Sequence, residues 1–194
     1  MDTLIFATNN QHKVAEIRKV LEKTFEIVTL KEAGINIDIP EPHNTLEANA
    51  SEKSKTIHEL TGKNCFSEDT GLEVEALNGE PGVKSARYAG EGRSFEANIK
   101  KLLINLQHKE NRKARFRTVI SLILTDKEYL FEGICEGTIL ESGRGDNGFG
   151  YDPIFVPAGS EKAFAEMSIE EKNEFSHRKK AMEKLINFLQ PRQL

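Results

Sequence analysis

The stretch Ala114-Arg115-Phe116-Arg117-Thr118-Val119-Ile120-Ser121-Leu122-Ile123-Leu124, followed by Thr125-Asp126-Lys127-Glu128 and then by Tyr129–Leu140, reads as a long β-hairpin. Two runs rich in β-branched and aromatic residues flank a polar four-residue connection, the sequence signature of antiparallel strands. Around this hairpin, strands and helices alternate. Thr3–Thr8, with the apolar run Leu4-Ile5-Phe6-Ala7, reads as a buried strand, and Phe25–Leu30 as a second. Between them Val14, Ile17, Val20 and Leu21 recur at helical spacing, predicting a helix from about Gln11 to Lys23. Asn44 with Glu47 predicts a helix start, the helix running to about Leu60. Short strands are expected at Asn64–Ser67 and from Gly71 to Val74, with a turn at Asn78-Gly79. Phe95–Leu106 is an amphipathic helix with Ile99, Leu102, Leu103 and Leu106 on one face. Gly143–Gly150 holds four glycines and reads as a loop. A short helix near Ile169–Phe175 precedes a longer one from Ser176, whose apolar face carries Met182, Leu185, Ile186 and Leu189. The fold class is α/β with a mixed sheet flanked by helices. The hairpin predicts a second lobe, and a cleft between two lobes is the expected ligand site.

The chain has 194 residues, of which 38% are hydrophobic, enough for one domain with a sizeable core. Acidic residues outnumber basic ones 31 to 27, giving a net charge of −4. That balance speaks against a general nucleic-acid binder, so any phosphate-rich ligand has to meet a local cationic cluster. Two cysteines, Cys65 and Cys135, make neither a disulfide framework nor a zinc site and fit a reducing compartment. Val119–Leu124 falls far short of the ~20 residues of a membrane helix, and the first residues lack a signal peptide's apolar region. The expectation is a soluble, cytoplasmic protein.

Six strings carry chemistry. Thr8-Asn9-Asn10-Gln11-His12-Lys13 joins the first strand to the first helix. Such a turn offers free backbone N–H groups, the positive end of a helix dipole and a lysine, all of which favour phosphate. Ser67-Glu68-Asp69-Thr70-Gly71 places two acids in tandem. Strand alternation would send them to opposite faces, one into a site and one away. A carboxylate there can hold Mg²⁺, which prefers hard oxygen ligands and substrate phosphates. Glu41 lies between Pro40 and Pro42, two residues that stiffen the loop carrying it. Asn49 and Lys53 are four apart on a helix and share a face. Gly148-Phe149-Gly150-Tyr151-Asp152-Pro153 brings two aromatics close to flexible backbone, an arrangement suited to a flat base. In the last string, Ser176 is a plausible N-cap, which puts His177 and Arg178 in the first helical turn, where cations oppose the dipole unless an anion is near. Each string alone also reads as ordinary solvated structure. His12, His43, His58 and His108 have no metal-ligand spacing and read as surface residues, His58 and His108 on helices.

Taken together and in order, these strings, with Pro81–Gly90 between them, resemble the inosine/xanthosine triphosphate pyrophosphatase family. The resemblance spans nearly the whole chain. It implies an elongated α/β protein with a long mixed sheet and an active-site cleft between two lobes, usually a homodimer. It implies Mg²⁺-dependent hydrolysis of deaminated purine nucleoside triphosphates to the monophosphate and pyrophosphate. By position, Thr8, Asn9, Asn10, Gln11, His12 and Lys13 would cradle the triphosphate. Asp69 would be catalytic and a metal ligand, with Glu41 as the second metal carboxylate, and Thr70 would contact the nucleotide. Phe149, Gly150, Tyr151 and Asp152 would border the base, and Lys53, Lys172, His177 and Arg178 would complete the phosphate and base contacts. Many members have glycine where this chain has Asn9, and some have serine where it has Thr70. The rival readings are a related pyrophosphatase acting on standard or methylated nucleotides, and a non-catalytic nucleotide-binding module with Phe149 and Tyr151 as a stacking platform.

Overall fold

The computed structural model describes residues 2–8, 14, 18 and 25–189. The described residues contain seven strands: β1 (Asp2–Phe6), β2 (Phe25–Thr29), β3 (Cys65–Val74), β4 (Pro81–Gly82), β5 (Lys113–Leu124), β6 (Lys127–Ile139) and β7 (Phe155–Pro157). They form one sheet in the order β2-β1-β3-β5-β6-β7, with β4 paired to β3. The pairing is mixed: β1 runs parallel to β2 and β3, whereas β4 on β3 and β7 on β6 are antiparallel. Among the described residues, four α-helices with both ends in view accompany it: α1 (Leu46–Thr61), α2 (Phe95–Asn105), α3 (Ile169–Phe175) and α4 (His177–Leu189). The α/β class with a mixed sheet is therefore observed.

The chain divides into two compact units. The first comprises residues 1–69, 119–132 and 180–194. Its core sets Leu4, Phe6 and Phe66 against Ile120, Leu122 and Leu185. Phe6 and Phe66 stack with centroids 4.3 Å apart across the β1–β3 pair. Val14 is helical and buried in this core, as the helical periodicity requires. The rest of the helix expected over Gln11–Lys23, apart from Arg18, lies outside the described residues, as do Asn9 and Asn10. The second unit comprises residues 70–118 and 133–179. Leu72, Leu102, Phe116, Ile139, Phe155 and Phe164 are central to its core. Each fully buried side chain of this size contributes roughly 1.5–3 kcal/mol. Both cysteines are free and buried, and burial pushes the Cys65 thiol up to about 12.

Four local expectations are corrected. The hairpin loop is two residues, not four: Thr125 and Asp126 take φ of 50° and 61°. Two left-handed residues make the tight turn that matches strand twist, so Lys127 and Glu128 pair as strand despite their polarity. The expected strands at Asn64–Ser67 and Gly71–Val74 are one continuous strand, β3. The tandem acids do not break it, because pleating separates their side chains and Asp69 finds a cationic partner. The α1 cap is Thr45 rather than Asn44, its side chain accepting from the Ala48 amide. His108 follows α2 in a turn at φ 62°, not in the helix.

Candidate active site

In the first unit, three sequence-predicted residues converge. Lys53 Nζ lies 2.5 Å from Glu41 Oε1 and 3.3 Å from Asp69 Oδ1. Local chemistry explains why. Ser67 on β3 donates its hydroxyl to the Ala50 carbonyl on α1 at 2.5 Å, docking helix on strand. Ala50 carries only a methyl group, too small to hold them apart, and is fully buried. Lys53, one turn later, is thereby carried to Asp69, two residues along β3 on the same face. Glu41 arrives by a different device. Asn49, fully buried, accepts from the His43 amide at 2.9 Å and donates to the His43 carbonyl at 3.2 Å. This grip fixes the proline-flanked loop that carries Glu41. Sequence reading noted only that Asn49 shares a helix face with Lys53; its hold on the loop depends on a contact no spacing rule encodes.

The electrostatics of this centre are uneven. Two carboxylates share one ammonium, and Lys53 and Asp69 each keep only 12% of their side chains exposed. Burial raises the Asp69 carboxyl above its usual range; the Lys53 charge pulls it back and the Glu41 charge pushes it further up. Asp69 Oδ2 is buried and has no hydrogen-bond partner among the described residues. A buried orphan acceptor costs about 1–3 kcal/mol, so such an atom marks a place for a cation or a proton. Two convergent carboxylates with hard oxygen donors fit Mg²⁺, which takes one or two carboxylates and completes its shell with water and substrate phosphates. Among the described residues no group of three or more His, Cys, Asp or Glu side chains forms a closed metal cage. Glu68, the other tandem acid, is buried.

In the second unit, Asp152 is the hub. It is 4% exposed, and its Oδ2 accepts from the Phe149 amide at 2.9 Å and from Lys172 Nζ at 2.5 Å. A side chain at position 148 would collide with that same Oδ2, and Gly148 has φ 81°, so glycine is required there. Lys172 Nζ also lies 5.1 Å from the centroids of both Phe149 and Phe164, within cation–π range. The two aromatics of the glycine-rich string separate. Phe149 is 56% exposed, whereas Tyr151 is buried in the core with its hydroxyl donating to the Ser85 carbonyl at 2.9 Å. Burial pushes the Tyr151 phenol well above its ordinary value. Gly150 sits between them at φ 63°.

His177 is buried and stacks on Phe116 with centroids 4.9 Å apart and planes 12° from parallel. Ser176 caps α4 as expected, accepting from the Lys179 amide at 3.2 Å, which puts His177 and Arg178 in the first turn. Thr70 shares a hydrogen bond of 2.8 Å with Thr118. Thr8 follows β1, its amide donating to the Phe6 carbonyl at 2.7 Å. Asn9, Asn10, Gln11, His12 and Lys13 lie outside the described residues.

Residues 4–188 match a model described as the Ham1 family. The chain is 50% identical to a dITP/XTP pyrophosphatase of Flavobacterium psychrophilum, over 95% of this chain and 97% of that protein. It is 53% identical to a dITP/XTP pyrophosphatase of Porphyromonas gingivalis, over 97% and 98%. The solved structure of the Staphylococcus aureus Ham1 protein superposes with a TM-score of 0.93 at 40% identity, covering 97% of this chain and 98% of that one.

Proposed function

The chain belongs to the Ham1 family, and we propose that it hydrolyses dITP, ITP and XTP to the monophosphate and pyrophosphate. Its near-full-length identity to proteins bearing the dITP/XTP pyrophosphatase name supports the reaction. The observation that carries the chemistry is Lys53 held between Glu41 and Asp69. Glu41 and Asp69 would hold Mg²⁺, which when bound neutralises triphosphate charge and polarises phosphoryl oxygens. Water attacks the α-phosphorus, the bond from that phosphorus to the bridging oxygen breaks, and pyrophosphate leaves. In the structure Asp69 Oδ1 lies on Lys53, while Oδ2, which has no hydrogen-bond partner among the described residues, would take the water's proton. Asn49 keeps Glu41 in place through the His43 backbone. Thr8 and the Asn9–Lys13 segment serve the phosphates, with Lys53 joining them.

Asp152, Lys172 and Phe149 serve the base. Phe149 offers an exposed ring face, and Asp152 fixes the loop that bears it. Hypoxanthine and xanthine carry an acceptor oxygen at position 6, where adenine carries a donor. Arg178 is all donor, so a buried Arg178–adenine encounter would leave facing donors at roughly 1–3 kcal/mol each. Guanine shares the 6-oxygen, so its rejection has to come from the 2-amino group. The protein works as a homodimer in the cytoplasm; its two free, buried thiols suit a reducing compartment.

The test is pyrophosphate release from inosine, xanthosine, adenosine, guanosine and thymidine triphosphates, side by side, with Mg²⁺ and with excess chelator. Release from the first two alone, lost on chelation, is expected. Release from the standard nucleotides moves the chain to the rival pyrophosphatase reading, and no release from any revives the binding-module reading. Sedimentation at micromolar concentration checks the dimer.

A further inference from the structure

Two large aromatic side chains of the second unit stay in water, Phe95 at 51% and Phe149 at 56% exposure, and they face each other. Their centroids are 6.3 Å apart with planes tilted by 44°, inside the range in which aromatic pairs attract. A base lying between them would need parallel rings about 7–8 Å apart, two van der Waals gaps. The pair is therefore not the two halves of a sandwich.

The two rings come from different segments. Phe149 stands between Gly148 and Gly150, both at positive φ, on a loop held by hydrogen bonds from the Phe149 amide to Asp152 Oδ2, from the Asp152 amide to the Phe149 carbonyl and from the Asn147 amide to the Ala165 carbonyl. Phe95 opens α2, behind the cap Ser94, whose hydroxyl accepts from the Ala97 amide at 3.2 Å. The first turn of α2 is pinned by Asn98, 2% exposed, which accepts from the Ala89 amide and donates to the carbonyls of Ser85 and Ala86. The Ser85 carbonyl also receives the Tyr151 hydroxyl, two residues beyond Phe149. The Asn98 and Tyr151 side chains thus meet on one carbonyl, which ties the start of α2 to the Phe149 loop.

We propose that Phe95 is a positioning residue for the nucleobase, holding the Phe149 ring in the orientation that receives it. The inference rests on the reading of Phe149 as the base-stacking residue and deepens it. No sequence motif marks Phe95, which reads as an ordinary helix start. Its contribution is preorganisation: a ring already ordered loses less freedom when the base arrives.

The chain has no tryptophan, so Phe149→Trp introduces a single emitter at the proposed stacking position. Inosine monophosphate titrated into that variant is expected to quench its emission. Adding Phe95→Ala lowers the emitter's anisotropy in the free protein and weakens the monophosphate by about two- to tenfold, the effect of one side chain left to be ordered on binding. In the otherwise unsubstituted enzyme, Phe95→Ala raises KM for inosine triphosphate by the same factor and changes kcat less than about twofold. Phe95→Tyr, which keeps the ring, restores the KM, and inhibition by tripolyphosphate, which has no base, is unmoved by any substitution at Phe95. If Phe149→Trp is quenched equally with and without Phe95, the positioning role is overturned while the base reading stands. If Phe149→Trp is never quenched, the base reading fails and this inference with it. If Phe95→Ala lowers kcat, tripolyphosphate affinity and thermal stability together, Phe95 is a structural residue and the proposal is wrong.

Discussion

Lys53→Met removes the single positive charge between Glu41 and Asp69 and keeps most of the aliphatic stem. At 3.3 Å and an effective dielectric of about 20, the Lys53–Asp69 attraction amounts to about 5 kcal/mol. Desolvation of the two groups, each with 12% of its side chain exposed, offsets much of that. Yet removing one partner of a buried pair destabilises by about 3–5 kcal/mol, because the other charge remains without compensation. Glu41 keeps 29% of its side chain in water, so the lower end, about 3 kcal/mol, is expected here. For a chain of this size the melting temperature then falls by about 6–12 °C. The assay is thermal unfolding followed by circular dichroism, with and without Mg²⁺. Two further outcomes are specific to charge. Asp69→Asn introduced beside Lys53→Met returns most of the loss, since one of the two repelling carboxylates is gone. Mg²⁺ raises the melting temperature more in Lys53→Met than in the unsubstituted protein. A Lys53→Met protein melting within about 1 °C of its parent, or one whose loss Asp69→Asn does not relieve, would refute the assignment of Lys53 as the counter-ion of this centre.

Asp69→Asn alone is expected to lower turnover by about 10²-fold or more, the usual loss of a general base; near-normal turnover in a pyrophosphate-release assay would remove Asp69 from that role. Its effect on stability has a definite sign. Burial raises the Asp69 carboxyl, so the folded chain holds that proton more tightly than the unfolded chain. The group's stability is fully present below the unfolded value and is lost as pH rises through the raised folded one. Melting curves of Asp69→Asn and its parent should therefore separate in favour of the variant as pH rises across that window, and parallel curves count against it. Arg178→Ala is expected to narrow the preference for inosine over adenosine triphosphate while changing the inosine–guanosine contrast less; equal loss on all substrates makes Arg178 a phosphate or structural residue. Gly148→Ala drives a Cβ into Asp152 Oδ2 at φ 81°, where a side chain alone costs roughly 1–2 kcal/mol. Raised KM for inosine triphosphate with a lowered melting temperature is expected, and an unchanged KM would separate the Asp152 hub from base binding.

How far the sequence carried depended on whether the deciding contact was local. The β5–β6 hairpin was legible because both arms are built of β-branched and aromatic residues. Its turn was not, because only Asp126 hints at left-handed backbone and Thr125 disfavours it. The tandem acids read as a break between two short strands. Pleating separates their side chains, and Asp69 meets the Lys53 ammonium brought from α1, a partner no strand pattern contains. Glu41, Lys53 and Asp69 could each be named from sequence, but their convergence needs the Ser67–Ala50 dock and the Asn49 grip. Tyr151 had the same aromatic signal as Phe149; only burial tells a core anchor from an exposed platform.

The two centres share one electrostatic design, and it has a consequence for an acidic protein that has to bind a polyanion. In each, the lysine suited to the substrate is already engaged by a carboxylate at 2.5 Å: Lys53 by Glu41, and Lys172 by Asp152. Neither presents a bare cation to solvent, so each is positioned and partly dehydrated before any nucleotide arrives. A triphosphate without a cation of its own would meet Glu41 and Asp69 as like charges and could win Lys53 only by leaving those two to repel each other. On the proposed Mg²⁺ reading, an ion held by Glu41 and Asp69 would let Lys53 turn from the carboxylates to the phosphates without that penalty. Chelation should therefore weaken nucleotide binding itself as well as catalysis, and the weakening should be smaller in a protein carrying both Glu41→Gln and Asp69→Asn, where no repulsion is left to release. Calorimetric titration of the substrate's monophosphate and triphosphate, with and without Mg²⁺, separates the two effects: the monophosphate, with fewer charges, should show the smaller dependence on the ion. Equal dependence for both nucleotides would mean that the ion acts somewhere other than on the Glu41–Lys53–Asp69 balance.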